Sequence, residues 1–107
     1  MPKYLMQASF TRDGIKSLAQ EGASKRRQAV VKFFGEAGGK LEALYFAFGD
    51  TDVFAIADFP DNVSAAALSL AANAAGAVQV KATVLISPEE MDQAAQKSRG
   101  LRPPTGA

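Results

Sequence analysis

The chain has 107 residues, 48% of them apolar and 21% charged, with a net charge of +1, the profile of one globular domain rather than a disordered or fibrous chain. It contains no histidine and no cysteine, which excludes thiolate nucleophiles, zinc fingers, histidine-held haem, imidazole acid–base chemistry and disulfides. Basic residues are scattered apart from one cluster, and no apolar run reaches bilayer length, so neither a nucleic acid nor a membrane is an expected partner.

Met1-Pro2-Lys3-Tyr4 leads straight into a strand pattern, without the basic, apolar and cleavage order of a secretory signal, so a cytoplasmic protein is expected. Residues 4–10 alternate as a first strand, with Tyr4, Met6, Ala8 and Phe10 on one face and Leu5 on the other. Thr11 offers an N-cap for a short helix through Ile15 and Leu18, which Gly22 breaks or bends. A second helical stretch, residues 25–37 with Ser24 as its cap, carries Val30, Phe33, Phe34 and Ala37 at the spacing of one helix face. Gly38-Gly39 ends it. Residues 40–48 and 52–59 predict a hairpin around a tight turn at Gly49-Asp50-Thr51. Pro60-Asp61-Asn62 stops the third strand and caps an alanine-rich helix over 63–75, with Gly76 as its C-terminal stop. Residues 77–86 alternate again, and Ser87-Pro88-Glu89-Glu90 opens a last short helix.

The order β-α-β-β-α-β predicts an α+β, ferredoxin-like sandwich over residues 1–99: a four-stranded antiparallel sheet in the order 4-1-3-2, helices on one face, and a short C-terminal helix. Residues 100–107 read as a flexible Pro/Gly tail. Strands two and three carry large apolar groups on both faces. Strict alternation puts Leu41 and Tyr45 on one face of strand two and Leu44, Phe46 and Phe48 on the other; Phe54 and Ile56 oppose Val53, Ala55 and Ala57. Helices cover one face only, so the other is expected to meet a second copy of the chain, as a homodimer or higher homo-oligomer. The competing expectation is that the C-terminal helix folds back over that face.

Three segments, Phe46-Ala47-Phe48-Gly49-Asp50-Thr51-Asp52-Val53, Gly76-Ala77-Val78-Gln79-Val80-Lys81-Ala82-Thr83 and Leu101-Arg102-Pro103-Pro104, give the chain a resemblance to the GYD-domain proteins. These are small bacterial proteins of the dimeric α/β-barrel type. The likeness spans nearly the whole chain and implies a fold rather than a reaction. In the Gly-x-Tyr-Asp signature Gly49 and Asp52 match, while Thr51 stands where the family has tyrosine.

Three groups are candidate ligand-binding residues. Gly49, Asp50 and Asp52 could serve a cation or an acid–base pair, or simply form the turn. Lys25, Arg26 and Arg27 follow Gly22; if that glycine ends the first helix, the N–H groups of residues 25–27 are expected to lack helical partners and to favour an anion, the alternatives being ion pairs between subunits or plain solvation. Lys81, with Gln79 and Thr83, lies opposite Val78 and Val80, facing either water or a barrel interior that Tyr4 and Tyr45 would line unless, as core residues, they pack inside the sandwich. Neither a metal nor another cofactor is expected. The expected function is a module binding a small anionic or aromatic metabolite, in or beside a sheet-face dimer. The alternatives are a cofactor-free oxygenase or isomerase of the dimeric α/β-barrel type, and a PII-like regulatory or purely structural interaction module.

Overall fold

The computed structural model describes residues 1–105. Its elements run β1 (Lys3–Phe10), α1 (Arg12–Glu21), α2 (Ala23–Glu36), β2 (Lys40–Phe46), β3 (Val53–Asp58), α3 (Asn62–Ala75), β4 (Val78–Leu85) and α4 (Pro88–Ser98). The strands form one antiparallel sheet in the order β2-β3-β1-β4. This is the expected ferredoxin-like sandwich, its first crossover made of two helices instead of one. No helix among the described residues is long and apolar enough to cross a membrane.

The strand faces follow from period-two alternation in all but one place. Tyr4 and Met6 on β1, and Val53, Ala55 and Ala57 on β3, share faces as predicted, and those faces are the ones buried under the helices. On β2 the pairing slips between Leu41 and Ala43, so Leu41 lies opposite Ala57 and joins Leu44 on the helix side. Strict alternation had put Leu41 beside Tyr45. The extra residue is Glu42, which accepts a hydrogen bond from Lys3 Nζ at 2.6 Å; that bond, with one from Lys3 to Asp58 at 3.0 Å, raises the lysine's pKa. A charged pair across the first strands therefore accompanies the bulge.

The helices begin and end where short-range chemistry dictates. Thr11 caps α1 by accepting from the Gly14 N–H at 3.3 Å. Gly22 ends α1, its N–H bonded to Leu18 O at 2.8 Å, and sits at φ +91°, a left-handed value that L side chains rarely adopt. The same residue is the N-cap of α2, which therefore starts at Ala23, before the Ser24 cap that the sequence suggested. Asp61 caps α3 through the Ser64 N–H at 2.8 Å, a bond that holds its carboxyl below the usual value. Ser87 and Glu90 close a reciprocal capping box at the start of α4.

Asn73 interrupts the alanine run of α3 for a structural reason. Its side-chain amide accepts from the Val80 N–H at 2.7 Å and donates to Val80 O at 3.3 Å. It thus stands in for a neighbouring strand along the outer edge of β4.

The helix α4 does not fold back. Every one of its residues is exposed, and the chain is elongated, 56 × 30 × 22 Å with a radius of gyration of 17.0 Å, against about 13 Å for a compact domain of this length. Gly100 to Thr105 are likewise exposed; residues 106 and 107 of the expected tail lie outside the described residues. The sheet face away from the helices is left uncovered, with Leu5, Ala43, Phe54 and Ile56 half-buried and Tyr45 72% exposed.

Candidate functional site

The space between the helices and the sheet is not filled evenly. At one end Tyr4, Phe34 and Phe59 interlock, with ring centroids 5.7 and 5.4 Å apart, and Tyr4 donates its hydroxyl to Asn62 Oδ1. At the other end the sheet presents Ala8, Val53 and Ala55, and α3 presents Ala71, Ala72 and Ala75. Helix α2 rides on β2 and α3 on β4, with little contact between the two helices. Small side chains on both sides of an unbridged gap leave space: a cleft of about 290 Å³, near the lower bound of ordinary ligand pockets. Larger apolar side chains, among them Phe10, Val30, Phe33, Leu44, Phe46 and Leu68, form much of the rest of its lining.

Among the residues lining the cleft, Arg26 alone is charged. Its guanidinium carbon lies 5.7 Å from the centroid of the Phe10 ring, a cation–π contact. Nη2 is 3.5 Å from Glu21 Oε2, a long ion pair whose two side chains are 22% and 30% exposed. Nε is buried without any hydrogen-bond partner. A buried donor on a permanent cation normally has an acceptor, because leaving one unmade costs about 1–3 kcal/mol.

The basic cluster is thereby split. Gly22 does end α1, but the Arg26 N–H bonds back to Gly22 O at 3.2 Å. The amides without helical partners are those of residues 23–25, not 25–27, because α2 starts earlier than expected. Lys25 and Arg27 are exposed while Arg26 turns inward, as successive residues about 100° apart on a helix must diverge. The three do not form one anion site.

The hairpin acids are placed differently. The loop of residues 47–52 is wider than the expected tight turn and is closed by Ala47 N–H to Asp52 O at 2.7 Å. Gly49 does not take a positive φ. Asp52 binds β1 twice: its N–H donates to Ala8 O at 2.9 Å and its Oδ2 accepts from the Phe10 N–H at 2.8 Å. Ser9 Oγ donates to Asp50 O at 2.8 Å, using the backbone and leaving the exposed Asp50 carboxylate free of that contact. Asp52 is therefore a latch that fixes the backbone of Phe10, the residue whose ring touches Arg26. Among the described residues no cluster of acidic groups suits a metal ion. Asp52→Ala should lower stability by about 1–2 kcal/mol in urea denaturation, by stripping an acceptor from the Phe10 N–H. Asp52→Asn, which keeps an oxygen there, should lose clearly less; equal losses would deny the latch.

Lys81, Gln79 and Thr83 lie on the uncovered face, opposite Gln7, Ser9 and Leu5 of β1. Tyr45 is on the same face but on β2, at the other edge of the sheet. Tyr4, expected either in a barrel interior or in the core, is a core residue. Neither Lys81 nor Tyr45 reaches the cleft, and the sheet separates both from Arg26.

No curated protein and no solved structure matches the chain. The family model for the GYD domain matches residues 4–95, from the first strand to the last helix. The chain therefore belongs to the GYD-domain family.

Proposed function

We propose that the protein is a binding module that holds a small anionic or aromatic metabolite in the cleft between α2, α3 and the sheet. The observation that carries this reading is an apolar cleft of about 290 Å³ with one guanidinium in its wall. Water gains little from such a lining, whereas an apolar ligand body exchanges surface at about 25 cal/mol per Å². The residues suited to acid–base work lie elsewhere: Asp52 is spent on the backbone, and Lys81 and Tyr45 are on the other side of the sheet. That distribution favours binding over the cofactor-free enzyme.

Pairing with a second copy through the uncovered face belongs to the same reading. Leu5, Ala43, Tyr45, Phe54 and Ile56 lie together there, and α4 leaves them bare. The ligand then sits across the sheet from the dimer interface rather than inside a barrel.

Native mass spectrometry of protein purified without added ligand, followed by thermal-shift assays, tests the site. A carried mass, or stabilisation by small aromatic or aliphatic acids, is expected in wild type. Ala72→Phe, which fills the cleft, should abolish either signal while the protein remains folded by circular dichroism. Equal signals from wild type and Ala72→Phe would place binding elsewhere, and no signal from wild type across such acids would refute the reading.

A further inference from the structure

Resting on the cleft reading, we infer that the ligand is a monocarboxylic acid of about ten non-hydrogen atoms with an unbranched or flat apolar body, and that Glu21 holds its carboxylate's place until it binds. The size follows from the cleft, since 290 Å³ divided by about 30 Å³ per water-sized group gives about ten.

The head group follows from Arg26. One side of its guanidinium is occupied by the Phe10 ring and one nitrogen by a carboxylate, yet Nε is buried with no acceptor. A guanidinium is best satisfied by a carboxylate that takes two of its N–H groups at once. Glu21 does less than that. It reaches only Nη2, at 3.5 Å, from the last turn of a different helix, and Gly22 turns the chain immediately after it.

A ligand carboxylate entering the cleft can take both the Nε and the Nη2 hydrogens. Glu21 is partly exposed and returns to water at small cost. A second negative charge does not fit beside it, so Glu21 and the ligand compete for Arg26. The neutral analogue gains the apolar contacts but not the exchange. Glu21 is a positioning residue here, acting on the ligand only through Arg26.

Isothermal titration with octanoate and octanol separates these terms, because the two probes share a chain and differ in the head. Octanoate is expected to bind wild type about tenfold more tightly than octanol, the size of one charge-assisted contact. Arg26→Gln should abolish that preference and keep octanol binding. Glu21→Gln should tighten octanoate severalfold and leave octanol unchanged. This variant retains the Arg26 guanidinium and so tests the competition even if Arg26→Gln fails to fold. Lys25→Gln/Arg27→Gln, at matched ionic strength, should change neither probe.

Equal affinity of the two probes for wild type would sink the carboxylate assignment while leaving a neutral apolar ligand in the cleft. No octanoate effect of Glu21→Gln would sink the competition. Binding of neither probe, with no signal from flat aromatic acids in the thermal-shift assay, would overturn this inference, and a carried neutral aromatic mass that Ala72→Phe removes would then show that the cleft reading survives it.

Discussion

Ile56→Asp is expected to convert a species of twice 11.2 kDa into a folded monomer of 11.2 kDa at micromolar concentration, measured by light scattering after size exclusion. Ile56 lies in the middle of the uncovered face, opposite Leu5 on β1 and Ala43 on β2, with Phe54 and Tyr45 paired on the same side. In a single chain the position is half-buried, and a carboxylate there can reach water. Sealed against a symmetry mate, the same charge would lose its hydration twice over, once from each copy, with a cost of several kcal/mol. Dissociation without unfolding is thus the signature of an interface, whereas unfolding would mark an ordinary core position. Leu70→Asp is the matched control, since Leu70 is 72% exposed on the outer side of α3 and should not change the mass. A wild type that runs as a monomer, or an Ile56→Asp variant that runs as a dimer, refutes pairing through this face.

Most of the fold was legible because it depends on signals only a few residues long. The alternation of Tyr4, Met6 and Ala8 gave β1 its faces, and Thr11, Asp61 and Ser87 announced three helix starts that the structure bears out. Departures arose where distant residues decide. The bulge at Glu42 accompanies a bond to Lys3, far away in the chain, and it moved Leu41 to the helix side. The hairpin loop is wide because Asp52 turns back onto Ala8 and Phe10 instead of closing a local turn. Gly22 serves as the end of one helix and the cap of the next, which shifted the free amides away from the residues expected to carry them.

The site was half legible. Arg26 was singled out within a charged run, of which it alone lines the cleft. Its helical phase held the better signal: Arg26, Val30, Phe33, Phe34 and Ala37 are spaced by four, three, one and three residues, so the apolar stripe of α2 projects back onto Arg26 and past Lys25 and Arg27. The cleft itself could not be read. A cavity is an absence of side-chain volume, and it exists only because the alanines of α3 face Ala8 and Ala55 across the sandwich. The sequence shows those alanines without showing what they oppose. Of the helix's alanines, Ala65 and Ala72 are buried and Ala66, Ala67, Ala71, Ala74 and Ala75 are exposed in the single chain.

Gly14→Ala should be among the most damaging single-methyl changes available to this chain. A Cβ at Gly14 would lie 2.2 Å from Ala77 O and 3.1 Å from a ring carbon of Phe10. The first of these neighbours is backbone and cannot swing aside. Ala77 O is already committed, accepting from the Thr11 N–H at 3.0 Å and the Thr11 hydroxyl at 3.2 Å. Relief therefore requires α1 to lift off the start of β4, which breaks those bonds and disturbs Phe10 and the Arg26 beyond it. A loss of about 3 kcal/mol is expected, or a fall in Tm of roughly 10–20 °C for a domain of this size. Gly35→Ala supplies the contrast within the neighbouring helix. Nothing lies within 4 Å of its added methyl, its φ is not positive, and it is exposed in α2, so alanine there should raise stability by up to about 1 kcal/mol. Both variants add the same atom and remove the same backbone freedom from the unfolded chain, so the difference between their melting temperatures isolates the contact with Ala77. If that difference is smaller than a few degrees, α1 is not held against β4 as closely as Gly14 allows, and the route from α1 through Phe10 to Arg26 loses its anchor.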